Sequence, residues 1–162
     1  MNTSRTKTID LLPLSIEEAA RIAAGEPDEQ DYWAEGFPRE DDSMPASAYA
    51  SATVDPSPFG SYRIVPLADG RTAGTAGFYG PPDESGQVTI GYGMVESAWG
   101  RGYGTEAVAG LVEVCRRHGG VTAVNADTDL DNIASQRVLE KNGFERVRVT
   151  EDACYFLLVL HS

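Results

Sequence analysis

The chain predicts an α+β fold, a mixed and mostly antiparallel sheet flanked by helices, and three observations carry that expectation. Three strand-like runs follow one another between residues 61 and 95, separated by turn-rich sequence. Residues 87 to 126 then spell strand, loop, helix and strand, the pattern of a right-handed crossover between parallel strands. A second short helical run and two further strand candidates complete the pattern.

Taken in order, "TIDLLPL" is a short strand, and Ser15 precedes Glu17 and Glu18 as the cap of a helix, "IEEAARIAAG", that stops at Gly25. Residues 26 to 45 are acidic, interrupted by Pro27, Pro38 and Pro45 and anchored by Tyr32, Trp33 and Phe37, which reads as a short helix plus a loop. "SYRIVPL", "TAGTAGFYG" and, after the turn "GPPDESG", "QVTIGYGMV" form an antiparallel meander. In the helix that follows, Val108, Leu111, Val112 and Cys115 fall at i, i+3, i+4 and i+7 and make one buried face. Glu113 and Arg117 pair on its surface, and Gly119 with Gly120 ends it. "VTAVNA" is the strand after the crossover. Asp131 or Asn132 caps "IASQRVLEKNGF", Gly143 takes a left-handed position after it, and "FERVRV" and "ACYFLLVL" are the last strands.

Composition excludes several functions. The 162 residues, 41% of them hydrophobic, fit one domain spanning 1–162. Thirteen Lys and Arg against 25 Asp and Glu leave a net charge of -12, which repels phosphate backbones and anionic lipid heads. Nucleic acid and membranes are therefore not expected partners, whereas a cationic amine is drawn in. Cys115 and Cys154 lack metal-ligand spacing and read as buried thiols of a reducing compartment, and no metal is expected. "MNTSRTKTID" has no apolar signal core and no run reaches the ~18 residues of a membrane helix, so the expected location is cytoplasmic.

The stretch "ESAWGRGYGTEAV" places Gly100, Gly102 and Gly104, with Arg101, immediately before a helix. Unpaired amides and the dipole at a helix start favour an anion, and glycines let the main chain approach it and adopt positive φ. The spacing fits neither a dinucleotide-binding fingerprint nor a phosphate-binding loop ending in G-K-S/T, and a tight turn alone accounts for it equally.

"WGRGYGTEAVAGLVEVC" followed by "DNIASQRVLEKNGFE" resembles the two cofactor-side motifs of the GNAT (Gcn5-related) N-acetyltransferases, most closely the branch of ribosomal-protein N-terminal acetyltransferases. The strong likeness covers residues 87 to 146. Trp99 departs from the wider family's Gln or Arg at the first motif position, as is common in this branch. The resemblance implies a sheet of that family's type with a strand–loop–helix–strand core for acyl-coenzyme A. It also implies acetyl-CoA as acyl donor, direct attack by a primary amine of a protein N-terminus or small molecule, and no metal. Residues Gly100, Arg101, Gly102, Tyr103, Gly104 and Thr105 would then hold the pyrophosphate. The amide of Met94 or Val95 would meet the thioester carbonyl, and Asn132 the pantetheine arm. Ser135 would donate to the departing sulfur. A non-catalytic acyl-CoA sensor is the alternative.

Around these positions, Gly91 and Gly93 mark a bulge in the strand or make room for an aromatic neighbour. Ser135 shares a helix face with Val138, Leu139 and Asn142, so its hydroxyl needs a partner. A lysine of pKa ~10.4 is neutral roughly once in a thousand at pH 7.4, costing about 4 kcal/mol, while an α-amine near ~8 costs only about 0.8 kcal/mol. "QVTIGYGM" carries no carboxylate to act as base, which tilts the expectation toward amines of modest pKa. Glu35 is the candidate base elsewhere, and Asp41 and Asp42 the candidate substrate-binding acids, with Glu96 beside the loop. Arg137 reads as a surface residue, and His118 and His161 lack triad spacing. The protein is expected as a monomer or as a homodimer pairing through its final strand.

Overall fold

The computed structural model describes residues 7–51 and 56–160, so His161 and the first six residues lie outside it. Seven strands form one sheet: β1 (Ile9–Pro13), β2 (Ser61–Pro66), β3 (Gly74–Phe78), β4 (Gln87–Met94), β5 (Ala123–Asp129), β6 (Glu145–Val149) and β7 (Ala153–Val159). Their order is β1-β2-β3-β4-β5-β7-β6. Every neighbouring pair is antiparallel except β4–β5, which the crossover helix joins in parallel. The final strand, β7, is interior, and β6 is the edge. Expected pairing of copies through the last strand therefore has no free backbone to use there.

Helix α1 (Ile16–Ala24) begins with a capping box, Ser15 Oγ accepting from Glu18 N–H and Glu18 Oε1 from Ser15 N–H at 3.0 Å each, and ends at Gly25 with φ 70°. Helix α2 (Glu40–Ala50) runs through Pro45, which the sequence marks as an interruption. The proline forfeits one internal hydrogen bond, to the Asp41 carbonyl, and three acids in the first turn together with an Arg39–Asp42 capping pair hold the start. Helix α3 (Tyr103–His118) buries Val108, Leu111, Val112 and Cys115 as their spacing requires, and Glu113 and Arg117 pair at 2.9 Å on its exposed side. Helix α4 (Ile133–Lys141) is tied to α3 by Asn142, whose Nδ2 donates to the Thr105 carbonyl at 3.2 Å.

The helices divide between the two faces of β4, because successive strand residues point opposite ways. Tyr92 packs on Gly104 of α3, while its neighbour Gly93 lies under Arg39, the residue that caps α2. Both faces meet at the one place where the sheet is incomplete.

Candidate active site

That place is the wedge between β4 and β5. The two strands pair only through Gln87↔Ala123, Val88↔Val124 and Thr89↔Asn125. Beyond Thr89, β4 stays with β3 as far as Gly74↔Met94, and β5 stays with β7 as far as Asp129↔Ala153. Asn125 sits at the apex, its amide donating to Gln87 Oε1 at 2.9 Å and to the Val88 carbonyl at 3.3 Å. The register of β3 with β4 is regular, so of the two readings of Gly91 and Gly93 the bulge is not seen against β3. Those glycines make room: a Cβ on Gly91 would lie 2.6 Å from the Tyr79 hydroxyl, and one on Gly93 would lie 2.5 to 2.8 Å from the Arg39 guanidinium.

Backbone direction decides which peptide groups face the wedge. The Thr89 carbonyl accepts from Tyr79 N–H at 2.9 Å and Val95 N–H donates to the Ala73 carbonyl at 2.8 Å, so odd-numbered residues of β4 turn toward β3. By alternation, Tyr92 and Met94 turn their main-chain groups toward the wedge, beyond the last β4–β5 pair. The expectation for Val95 is corrected accordingly, since its N–H is already committed to Ala73. The Met94 carbonyl accepts from Trp99 Nε1 at 2.9 Å, which leaves the Met94 N–H as the donor at that edge.

The loop after β4 makes one 3-10 turn, Glu96–Ala98, before the glycines. Gly100 and Gly102 adopt φ 77° and 82°, and a Cβ on either would point into open space, so conformation alone selects glycine there. Gly104 differs from the expectation because it has no positive φ. It is helical, and a Cβ would sit 2.9 Å from the Tyr92 ring. The first helical bond runs from Glu106 N–H to the Gly102 carbonyl at 3.2 Å, so the amides of Tyr103, Gly104 and Thr105 head α3 ahead of it, at the positive end of its dipole. Arg101 is exposed beside them.

Ser135 lies across the wedge on the first turn of α4, its hydroxyl 2.9 Å from the Tyr92 hydroxyl. Burial pushes the Tyr92 phenol above its ordinary pKa, partly opposed by the Ser135 hydrogen bond, so the phenol remains a proton donor at neutral pH. Tyr92 was not singled out in the sequence; the signal was its alternation with Ile90 and Met94, which puts all three on the α3 side. Asn132 caps α4, its Oδ1 accepting from Ser135 N–H at 3.1 Å, with its Nδ2 in solvent. A cavity of about 110 Å³ fills the wedge between Tyr92, Ser135, Ile90 and Asp127. It adjoins a cavity of about 330 Å³ on the α2 side, lined by Arg39, Asp41 and Thr75 among others, with Tyr79, Gly91 and Tyr92 common to both.

The candidate acids separate. Asp41 is exposed and lines the larger cavity. Asp42 is only 1% exposed. Its oxygens accept from Arg39 Nε at 2.9 Å, Arg39 Nη2 at 2.8 Å and Thr75 Oγ1 at 2.6 Å, so it holds Arg39 and presents no charge of its own to a substrate. Glu35 is exposed and lines neither cavity, and Gly36 beside it faces Val95. The structure thus does not bring Glu35 to the wedge as a base. Cys115 is buried with its thiol pushed up to about 11, which makes it packing and not a nucleophile. Among the described residues no group of three or more His, Cys, Asp or Glu could hold a metal, and no helix is long and apolar enough to cross a membrane.

The split between the central parallel pair leads into a glycine-rich helix start, and the model of the acetyltransferase (GNAT) domain matches residues 9–145. The chain belongs to the GNAT acetyltransferase family. Among curated relatives, the N-acetyltransferase YjdG of Bacillus subtilis is 36% identical over 86 residues, 53% of this chain. The N-acetyltransferase YoaA of the same organism is 29% identical over 82 residues, 51% of this chain. These matches span about half the length of the curated relatives, 51% of YjdG and 46% of YoaA. A solved GNAT acetyltransferase of Bacillus anthracis superposes with a TM-score of 0.67 at 16% identity, over 96% of both chains. RimL, a ribosomal L7/L12 alpha-N-protein acetyltransferase solved with coenzyme A, superposes with a TM-score of 0.71 at 16% identity, again over 96% of both chains. At that identity the likeness is one of fold, and it extends to the mixed seven-stranded sheet of this GNAT chain.

Proposed function

We propose that this GNAT protein transfers an acetyl group from acetyl-CoA to a primary amine, a protein N-terminus or a small molecule, by direct attack in a ternary complex. The observation that carries the reading is the wedge itself. The unpaired main-chain groups of Tyr92 and the Met94 N–H line one edge, the amides heading α3 follow on the same chain, and Ser135 meets the Tyr92 hydroxyl across the gap.

In this reading Gly100, Arg101, Gly102, Tyr103, Gly104 and Thr105 bind the pyrophosphate of the donor through backbone N–H groups and one guanidinium. The pantetheine arm lies along the free edge of β4 as a strand would, its amides matched by the N–H and carbonyl of Tyr92, and Asn132 offers Nδ2 from the α4 side. Met94 N–H is placed to stabilise the oxyanion that forms as the amine attacks the thioester carbonyl. A carbon–nitrogen bond forms, the carbon–sulfur bond breaks, the amine sheds a proton to solvent, and the sulfur leaves as thiol. Ser135 supplies the proton at sulfur, with Tyr92 hydrogen-bonded behind it to restore it. No carboxylate reaches this point from β4, in keeping with an acceptor of modest pKa.

The test is a titration of acetyl-CoA followed by thiol release with a panel of amines. Saturable binding with amine-dependent thiol release is expected. Absence of binding, or binding without release on any amine, overturns the reading.

A further inference from the structure

The acceptor-side cavity is lined by a cation, Arg39, whose pairing with Asp42 uses only part of its guanidinium. Arg39 stands in a chain of net charge -12, yet its guanidinium is aimed at the cleft and not at an exposed acidic surface. Three features fix it there. Asp42, whose side chain is fully buried, grips Nε and Nη2 from behind at 2.9 and 2.8 Å. Thr75 donates to the same carboxylate at 2.6 Å and keeps it oriented. Gly93 lies beneath the guanidinium, where any side chain would stand within 2.8 Å of its carbon. A guanidinium has five N–H donors, and Asp42 takes one from Nε and one from Nη2. Among the described residues no acceptor takes the other three, and Arg39 lines the cavity together with Gly93 and Tyr79.

We infer that the acceptor is an amine that also carries a carboxylate, and that Arg39 binds this carboxylate; the inference rests on the transferase reading above. The planar donor pair left on the guanidinium matches a carboxylate in a way an ammonium would not. The adjoining wedge supplies the complementary charge for the amine end, Asp127, while Arg39 lines the larger cavity. Amine and carboxylate thus meet opposite charges at two ends of one continuous space, with Tyr79, Gly91 and Tyr92 between. The net negative field attracts the ammonium, and Arg39 selects among amines. The carboxylate can be that of a free amino acid or an acidic side chain near the N-terminus of a peptide.

Competition kinetics with acetyl-CoA decides the matter. The panel pairs an amino acid with its amide, and an amidated dipeptide bearing Glu at its second position with the same peptide bearing Gln. A charged hydrogen-bonded contact predicts a kcat/KM ratio of about tenfold to a hundredfold in favour of the carboxylate member of the pair that fits. The amino-acid pair responds if the acceptor is a free metabolite, and the peptide pair if it is a chain terminus. Two variants assign the preference to Arg39. Arg39→Gln with Asp42→Asn, which leaves no unpaired buried charge, and Gly93→Ala, whose methyl displaces the guanidinium, both bring the ratio near one through KM for the carboxylate acceptor. A ratio near one in both pairs with the wild-type protein overturns the inference while leaving the transferase reading standing. A preference that survives both variants also overturns it. Bound acetyl-CoA with no thiol release on any amine removes both.

Discussion

The two walls of the cleft are built from different materials. The wall proposed for the cofactor, from Met94 to Thr105, is one continuous stretch that offers backbone N–H donors, and its glycines serve conformation at Gly100 and Gly102 and packing at Gly104. The wall proposed for the acceptor is assembled from side chains of distant segments, Arg39 from the start of α2, Tyr79 after β3 and Thr75 within it, over two glycines of β4. A wall made of main chain is indifferent to most side-chain changes but intolerant of bulk or charge at a few positions. A wall made of side chains depends on what anchors them, here the buried Asp42.

The sharpest way to break this contrast is to place charge in the cofactor wall. Gly102→Glu projects into open space, so it adds a carboxylate beside the α3 amides at the cost of about 1 to 2 kcal/mol for a non-glycine residue at positive φ. Acetyl-CoA affinity should fall more than ~100-fold as charge repulsion replaces charge-assisted hydrogen bonding, while a thermal melt still shows a folded protein. Gly102→Ala carries the same strain without the charge and should stay within roughly tenfold of wild type, read by calorimetric titration. Gly104→Glu should lose both binding and stability, because its side chain must displace the Tyr92 ring. Wild-type affinity in Gly102→Glu would dissolve the distinction between the walls.

Next in size is removal of the anchor from the acceptor wall. Asp42→Ala strips the counter-ion from Arg39 and the acceptor from Thr75, and should cost about 2 to 3 kcal/mol in denaturant unfolding, less than the ~3–5 kcal/mol of a fully buried pair because Arg39 remains partly in water. Glu35→Gln serves as the contrast, since it removes an exposed carboxylate that lines neither cavity. It should alter stability by no more than about 0.5 kcal/mol and leave turnover within about twofold. Loss of turnover in Glu35→Gln would return it to the role of base.

Between the walls, Ser135→Ala should lower turnover by about tenfold to a hundredfold with little change in acetyl-CoA affinity, as expected of a group acting on the leaving sulfur and not on binding. Tyr92→Phe keeps the ring on Gly104 and deletes the hydroxyl, so its loss should be smaller and also confined to turnover. A fall in affinity alone would make both residues structural.

What could be read in advance follows the same division. The meander, the crossover and the buried face of α3 are local patterns of period 2 and 3.6, and they appear where the residues indicate. The loop glycines are contiguous, so their presence was legible, although not that Gly104 is spared for the Tyr92 ring. The acceptor wall was legible only as a collection of acids. Nothing in "FPREDD" reveals that Asp42 turns inward and Arg39 outward over Gly93, because that depends on a contact between residues 54 positions apart. Gly91 and Gly93 were visible as anomalies in a strand, but whether a bulge or a neighbour explains them is settled by what β3 and α2 place above them.

A modest effect tests a side chain that ties the glycine loop to β4. Trp99 stands where the wider family has Gln or Arg, and its indole N–H reaches back 2.9 Å to the Met94 carbonyl while its ring is 61% exposed. The bond spans the 3-10 turn and fixes the end of β4 relative to the glycine loop, which in the proposed reading sets where the Met94 N–H meets the thioester. A charged head group there would have to desolvate to do the same. Trp99→Phe keeps an aromatic ring and loses the donor, a change of about 0.5 to 1.5 kcal/mol. Because the carbonyl can take a water in its place, the expected result is an increase of a few-fold in KM for acetyl-CoA with kcat nearly preserved. A fall in kcat larger than the rise in KM would mean that the clasp acts on the reacting carbonyl itself, and the cofactor wall would then owe part of its chemistry to a side chain after all.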